Sequence, residues 1–201
     1  RTTAVADTTR PITPVNGGVR QINVLMNYGI ADYDGLQTLL SYRGSAKFRA
    51  SISYTLSKAT NTTEPDGNGI GPNQANIARL GEDERGPSLL DQRHRAVITL
   101  IYNAPFNITL GTMTSLASAR PFNATTGIDN NGDGASNDRP VIDGAVIGKS
   151  AFRGTGTQDV SVFAEGRIKF AKQQILVRVE GFNLLNHANI LGRAVTVYGD
   201  T

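Results

Sequence analysis

The chain has 201 residues, enough for one domain with a sizeable core. Only 18% of residues are charged, 22 are glycine and the formal net charge is +3, which points to a turn-rich β protein and away from a nucleic-acid binder with a basic run. Cysteine is absent, which excludes a disulfide framework, thiolate zinc and a thiol nucleophile.

The apolar stretches all fall short of the ~18 residues of a membrane-spanning helix. Membrane β-strands need only short alternating segments, which hydropathy averages miss. The chain opens on Arg1-Thr2-Thr3 with no signal peptide in view, and a piece of a longer protein is expected. The sequons at Asn61, Asn107 and Asn123 carry little weight in an Asn/Thr-rich chain without disulfides.

Period-two alternation dominates, and it predicts seven strands. In the first, Ile22, Val24, Met26 and Tyr28 oppose Gln21, Asn23 and Asn27. In the second, Leu36, Leu40 and Tyr42 oppose Gln37, Ser41 and Arg43. The third, Lys47–Ser57, is the cleanest. Phe48, Ala50, Ile52, Tyr54 and Leu56 form a greasy face, and Lys47, Arg49, Ser51, Ser53, Thr55 and Ser57 a wet one. The fourth carries Ala96, Ile98, Leu100 and Tyr102 on one face, and the fifth Ile108, Leu110, Thr112, Thr114 and Leu116. In the sixth, Val160, Val162, Ala164 and Ile168 oppose Asp159, Ser161, Glu165, Arg167 and Lys169. In the seventh, Ile175, Val177 and Val179 oppose Arg178 and Glu180. Leu39, Val97, Ile101 and Phe163 interrupt the alternation.

The connections sort by length. Short turns are expected near Gly44-Ser45, at Ala104-Pro105-Phe106 and at Ala171-Lys172-Gln173. Long loops are expected at about Ala59–Gln92 and Arg120–Gly156, both rich in Gly, Asn, Asp and Pro. In a meander all the short turns then fall at one end and both long loops at the other, the asymmetry of an outer-membrane barrel. Tyr42, Phe48, Tyr102, Phe106 and Phe170 gather near the short-turn end and Tyr28, Tyr33 and Tyr54 toward the other, as two aromatic girdles would. Arg178, Glu180, Arg167, Lys169 and Glu165 are then expected to face the lumen and pair across strands. On the lipid face each would cost roughly 2–4 kcal/mol at mid-depth.

Several motifs carry a family likeness. They are Tyr33–Gln37, Ser53–Ala59, Glu84–Ser88, Asp91–Arg95, Ser118–Phe122, Asp129–Pro140 and Glu180–Asn189, in that order along the chain. Together they resemble the barrel of Oar-like TonB-dependent outer-membrane receptors. The resemblance implies the C-terminal portion of such a barrel over residues 1–201, with the outer membrane as location and the lipid bilayer as partner. It also implies a plug domain in the same full-length chain and a TonB-type energy-transducing complex reached through N-terminal parts. Barrels of this kind use about 22 strands. Seven strands cannot close one, so the fold expected is an open, all-β, antiparallel up-and-down barrel segment.

Asp129, Asn131, Asp133 and Gly134 match the first positions of a calcium loop, and Asn137 and Asp138 can add oxygens. Pro140 stands where an EF-hand needs its bidentate Glu, so a bare loop closed by Asp138 or Asp143 is the calcium reading and an Asx-rich turn the plain one. Calcium is the one cofactor candidate. No catalytic residue is assigned: Asp91, Arg93, His94 and Arg95 lack a nucleophile elbow or zinc motif, and read as a charge lattice bracing a loop, with Asp83 and Glu84. His187, alone, is not a metal site. The expected function is passage of a substrate across the outer membrane without covalent chemistry. The alternative is a secreted calcium-binding β-sandwich or adhesin module, in which a second sheet would bury the apolar face.

Overall fold

The computed structural model describes residues 29–65, 72–73, 84–128, 130, 138–171 and 173–190. Six long strands run in chain order: β1 (Ala31–Tyr42), β2 (Phe48–Asn61), β3 (His94–Ala104), β4 (Ile108–Ala117), β5 (Thr157–Phe170) and β6 (Gln173–Gly181). Each pairs antiparallel with the next, giving the order β1-β2-β3-β4-β5-β6, and Gly86–Pro87 adds a seventh short strand against Thr60 and Asn61 of β2. The predicted strand at residues 21–28 lies outside the described residues. The other six form where the alternation places them.

Loop sorting follows the expectation. Residues 43–47 and 105–107 make tight turns, Phe170 and Gln173 face each other across the third, and the described residues of 62–93 and 118–156 lie at the opposite end. The turns have local causes. Ser45 Oγ accepts the Phe48 N–H (3.0 Å), and Phe106 and Asn107 both take left-handed φ (63° and 58°) to reverse β3 into β4. Strand β2 extends to Asn61, beyond the expected start of the first long loop, because Gly86–Pro87 pairs there.

Cross-strand partners share a face, so the register sorts every side chain. Leu36, Leu40 and Tyr42 of β1 align with Leu56, Ile52 and Ala50 of β2. These align in turn with His94, Ile98 and Leu100 of β3, and the row continues through Thr114, Val160, Thr112, Val162 and, on β6, Val177 and Val179. This apolar face stays uncovered: Leu36 is 61% exposed, Leu40 64% and Val179 68%. A sandwich would bury it, and among the described residues no second sheet lies against it. Ala124 is the one hydrophobic residue buried among those described, whereas the buried polar set includes Thr62, Glu84, Asp91, Asp138, Lys149 and Ser150.

The residues that interrupt the alternation lie on the polar face, and one of them, Phe163, has a use there. Phe163 sits directly opposite Gly111, and its ring occupies the space where a Cβ of residue 111 would stand. Arg178 caps the same ring at 4.2 Å from its centre. Arg178 also bonds Glu180 (2.5 Å) and reaches its cross-strand partner Glu165 (3.7 Å), which receives Arg167 as well (3.2 Å). Glu165, Arg167, Arg178 and Glu180 therefore lie together on the polar face and pair, both across and along the strands, whereas Lys169 shares that face opposite Gln174 and joins none of these pairs.

Candidate functional site: the loop crown

The described parts of both long loops meet at the end of the sheet and build a crown whose interior is polar. Asp91, 1% exposed, is a hub. Its Oδ1 accepts the Ala59 N–H (2.7 Å), and its Oδ2 takes Arg153 from the second loop and Arg93 Nε (3.3 Å) from its own. Burial pushes this carboxyl up, but the Arg153 bond and charge, the Ala59 amide and Arg93 outweigh burial and hold it below the ordinary carboxylate value.

The same polarity recurs twice. Arg139 of the second loop forms a buried ion pair with Glu84 of the first. Lys149 of the second loop bonds Asn61 Oδ1 and the Pro87 carbonyl (3.3 Å). Cations from residues 139–153 thus enter acceptors around residues 61–91. Gly86 permits the closest approach, since a Cβ there would lie 2.5 Å from the Lys149 carbonyl oxygen. The second loop braces itself as well: Phe122 stacks on Phe152 (5.7 Å), Ser150 N–H donates to Asn123 Oδ1 (2.6 Å), and Val141–Ile142 pairs with Ala145–Val146 around a left-handed Asp143-Gly144 turn.

With the sheet, its two unlike faces and the crown in place, comparison with known proteins has a clear outcome. Residues 1–155 match the model of an outer membrane beta barrel domain. The chain belongs to the outer membrane beta barrel domain family. No curated protein and no solved structure matches it. For this barrel domain the apolar face is the lipid face and the polar face the lumen side, and the outer membrane is its location. From Phe48 to Leu56 strand β2 runs roughly 27 Å at about 3.4 Å per residue, or roughly 21 Å of depth at a ~40° tilt, close to the ~25 Å apolar band of such barrels.

The girdles come out unequal. Tyr42, Phe48, Tyr102 and Phe170 all face lipid near the short turns, with the Tyr42 and Phe48 rings 6.0 Å apart, and Phe106 is 91% exposed on its turn. At the other end Tyr54 faces lipid, but Tyr33 does not. It pairs with Ala59, and the one-residue step of the pleat puts it on the polar face. Tyr28 lies outside the described residues.

The lattice expected around Asp91 forms in part. Asp91 and Arg93 belong to it, and Glu84 enters through Arg139, which the sequence reading did not select. His94 turns to the lipid face and shares a hydrogen bond with the Tyr54 hydroxyl (2.8 Å). Arg95, next along the strand, points to the polar face. Asp83 lies outside the described residues.

Of the calcium candidates, Asp129, Asn131, Asp133 and Asn137 also lie outside. Asp138 is buried, its Oδ2 accepts the Asn130 N–H (2.6 Å), and its backbone carbonyl accepts the Thr126 N–H (2.8 Å). Among the described residues no group of three His, Asp or Glu is placed to hold a metal.

His187 belongs to a clamp. Asn183 Oδ1 accepts its N–H (3.1 Å) while Asn183 Nδ2 donates to its carbonyl (3.2 Å). Asn183 and Asn186 take left-handed φ of 48°, a conformation Asn tolerates better than most residues. Asn189 then bonds both backbone groups of Gln158 (2.8 and 2.9 Å) with its side-chain amide, standing in for a strand partner above β6.

Proposed function

We propose that this barrel domain is part of an Oar-like TonB-dependent receptor that passes a substrate across the outer membrane. The observation that supports this reading most is the crown. A passive pore needs only an open mouth, whereas a receptor must hold its ligand before passing it on, and that calls for ordered outer loops. Here the two loops are joined by buried ion pairs and hydrogen bonds, and the motifs that resemble the receptor family supply Glu84, Gly86, Asp91, Ser118 and Arg139 to that junction or its foot. In this reading a plug domain and a TonB-type complex act with the barrel, and the barrel performs no covalent chemistry.

The test is uptake by cells carrying the full-length protein, with and without the inner-membrane energy complex. Loss of concentrative uptake on deleting the complex is the expected result. Uptake that proceeds equally without it, or in the presence of a protonophore, would sink the proposal.

A further inference from the structure

Beneath the crown, on the polar face, lies a cleft of ≈ 240 Å³ whose lining includes Arg95, Ser115, Arg120, Phe122 and Thr157. Its floor opens because the small Ala117 stands between Arg95 and Thr157 in one cross-strand row, leaving roughly 10 Å between the strands on either side, at about 4.8 Å per strand step. Ser115 extends the floor one row down. Phe122, held by its stack on Phe152, forms an aromatic wall.

The charge at this cleft is not balanced from within. Arg85, Arg93, Arg139 and Arg153 around the crown each meet a carboxylate. Arg95 and Arg120 are exposed, and among the described residues neither guanidinium has an ion-pair or hydrogen-bond partner. The neighbouring acids are engaged elsewhere. Asp91 is taken by Arg93, Arg153 and the Ala59 amide, and Asp159, opposite Ser115, accepts the Ser161 hydroxyl (2.8 Å) and does not line the cleft. Two guanidiniums without a partner among the described residues, flanked by hydroxyl donors, form a site for oxyanions, because the planar fork of Arg matches carboxylate and phosphate geometry. The volume is below the ~300–1,000 Å³ of drug-sized sites, so it suits one anionic group with a few attached atoms and not a whole bulky ligand.

We propose that the Arg95–Arg120 cleft is a subsite that binds a carboxylate or phosphate group of the passing substrate. This rests on the reading of the polar face as the substrate's path.

The experiment uses the full-length protein in lipid nanodiscs, titrated calorimetrically with inorganic phosphate, with benzoate and with benzamide as the neutral counterpart. Saturable binding of phosphate or benzoate is expected, weakening with added salt, and benzamide should bind far less. The preferred anion tells which group the site takes. The double variant R95Q/R120Q should bind about tenfold more weakly or worse, and Arg49→Gln, at the far end of the same face, should bind as the parent does. Because Arg95 and Arg120 are exposed, the double variant should retain the parent's heat-modifiable gel mobility, which checks its fold. Absence of binding by both anions, equal binding of benzamide, or unchanged affinity in R95Q/R120Q would overturn the proposal. Energy-independent uptake with arginine-dependent anion binding would refute the receptor reading and leave the site standing. Energised uptake with arginine-independent binding would do the reverse.

Discussion

The sheet and the crown solve opposite problems. Across the sheet, apolar side chains point outward and stay uncovered, because the surrounding solvent is lipid. In the crown, Glu84, Asp91, Lys149 and Ser150 are buried and paired, because that end stands in water and must hold two long loops together without an apolar core. Burial alone therefore says little in this protein. What identifies each region is which kind of group is hidden and from which solvent.

Breaking one buried pair of the crown should have the largest effect. Arg139→Met leaves the Glu84 carboxylate buried without its counter-charge and should cost about 3–5 kcal/mol of local stability. Hydrogen exchange should accelerate in residues 84–91 while the β3–β4 ladder keeps its protection. Equal protection in variant and parent would contradict the role of the pair.

A charge on the lipid face should come next. Ile98→Arg, facing lipid beside Ile52 and Thr114, should lower folding stability in lipid vesicles by about 2–4 kcal/mol. Thr99→Arg, one residue on and facing the polar side, should change it by far less. Similar losses for both would show that the faces are misassigned.

Acid should act more weakly and only on the crown. The Asp91 carboxyl is held below its ordinary value in the folded protein. Its contribution is therefore present above the unfolded value of about 3.9 and is lost as pH falls through the lowered folded value. Exchange of the Ala59 amide, which bonds Asp91, should rise in that acid window and not near neutrality. Asp91→Asn should remove this acid-specific rise; if the rise persists, another carboxylate controls the junction.

Calcium should have the smallest effect. If Asp129, Asn131, Asp133, Asn137 and Asp138 clamp the loop, adding calcium to the full-length protein should slow proteolysis between Thr126 and Pro140, and chelation should restore it. No difference between the two conditions would leave only the hydrogen bonds that Asp138 makes to Asn130 and Thr126.

The strands were readable because a half-solvated sheet imposes a period of two on adjacent residues, and Lys47–Ser57 shows it almost without exception. Loop sorting was readable for a similar reason, since the turns interrupt that period. Tyr33 was misplaced because the alternation was read only from Leu36 onward; once β1 is seen to begin at Ala31, the odd step from Leu36 to Tyr33 puts that ring on the polar face. The crown could be read only in part. Asp91 and Arg93 lie two residues apart, but Glu84–Arg139 spans 55 residues, Asp91–Arg153 62 and Lys149–Asn61 88, and no local pattern encodes such partners. One local signal was available: Asp143-Gly144 between Val141-Ile142 and Ala145-Val146 is a hairpin turn in plain sequence.

The three cations of the second loop also have a mechanical consequence. At the short-turn end, the described residues join neighbouring hairpins through backbone ladders and the single bond from Asn103 Nδ2 to the Ala46 carbonyl (2.8 Å), so adjacent strands can shear by stretching a few parallel bonds. At the crown end, Lys149 and Arg153 tie the loop between β4 and β5 to the top of β2 and the foot of the loop leading into β3. These ties cross the ladders and act as a lintel over four strands. The rim on that side should hold a fixed perimeter while the opposite rim breathes.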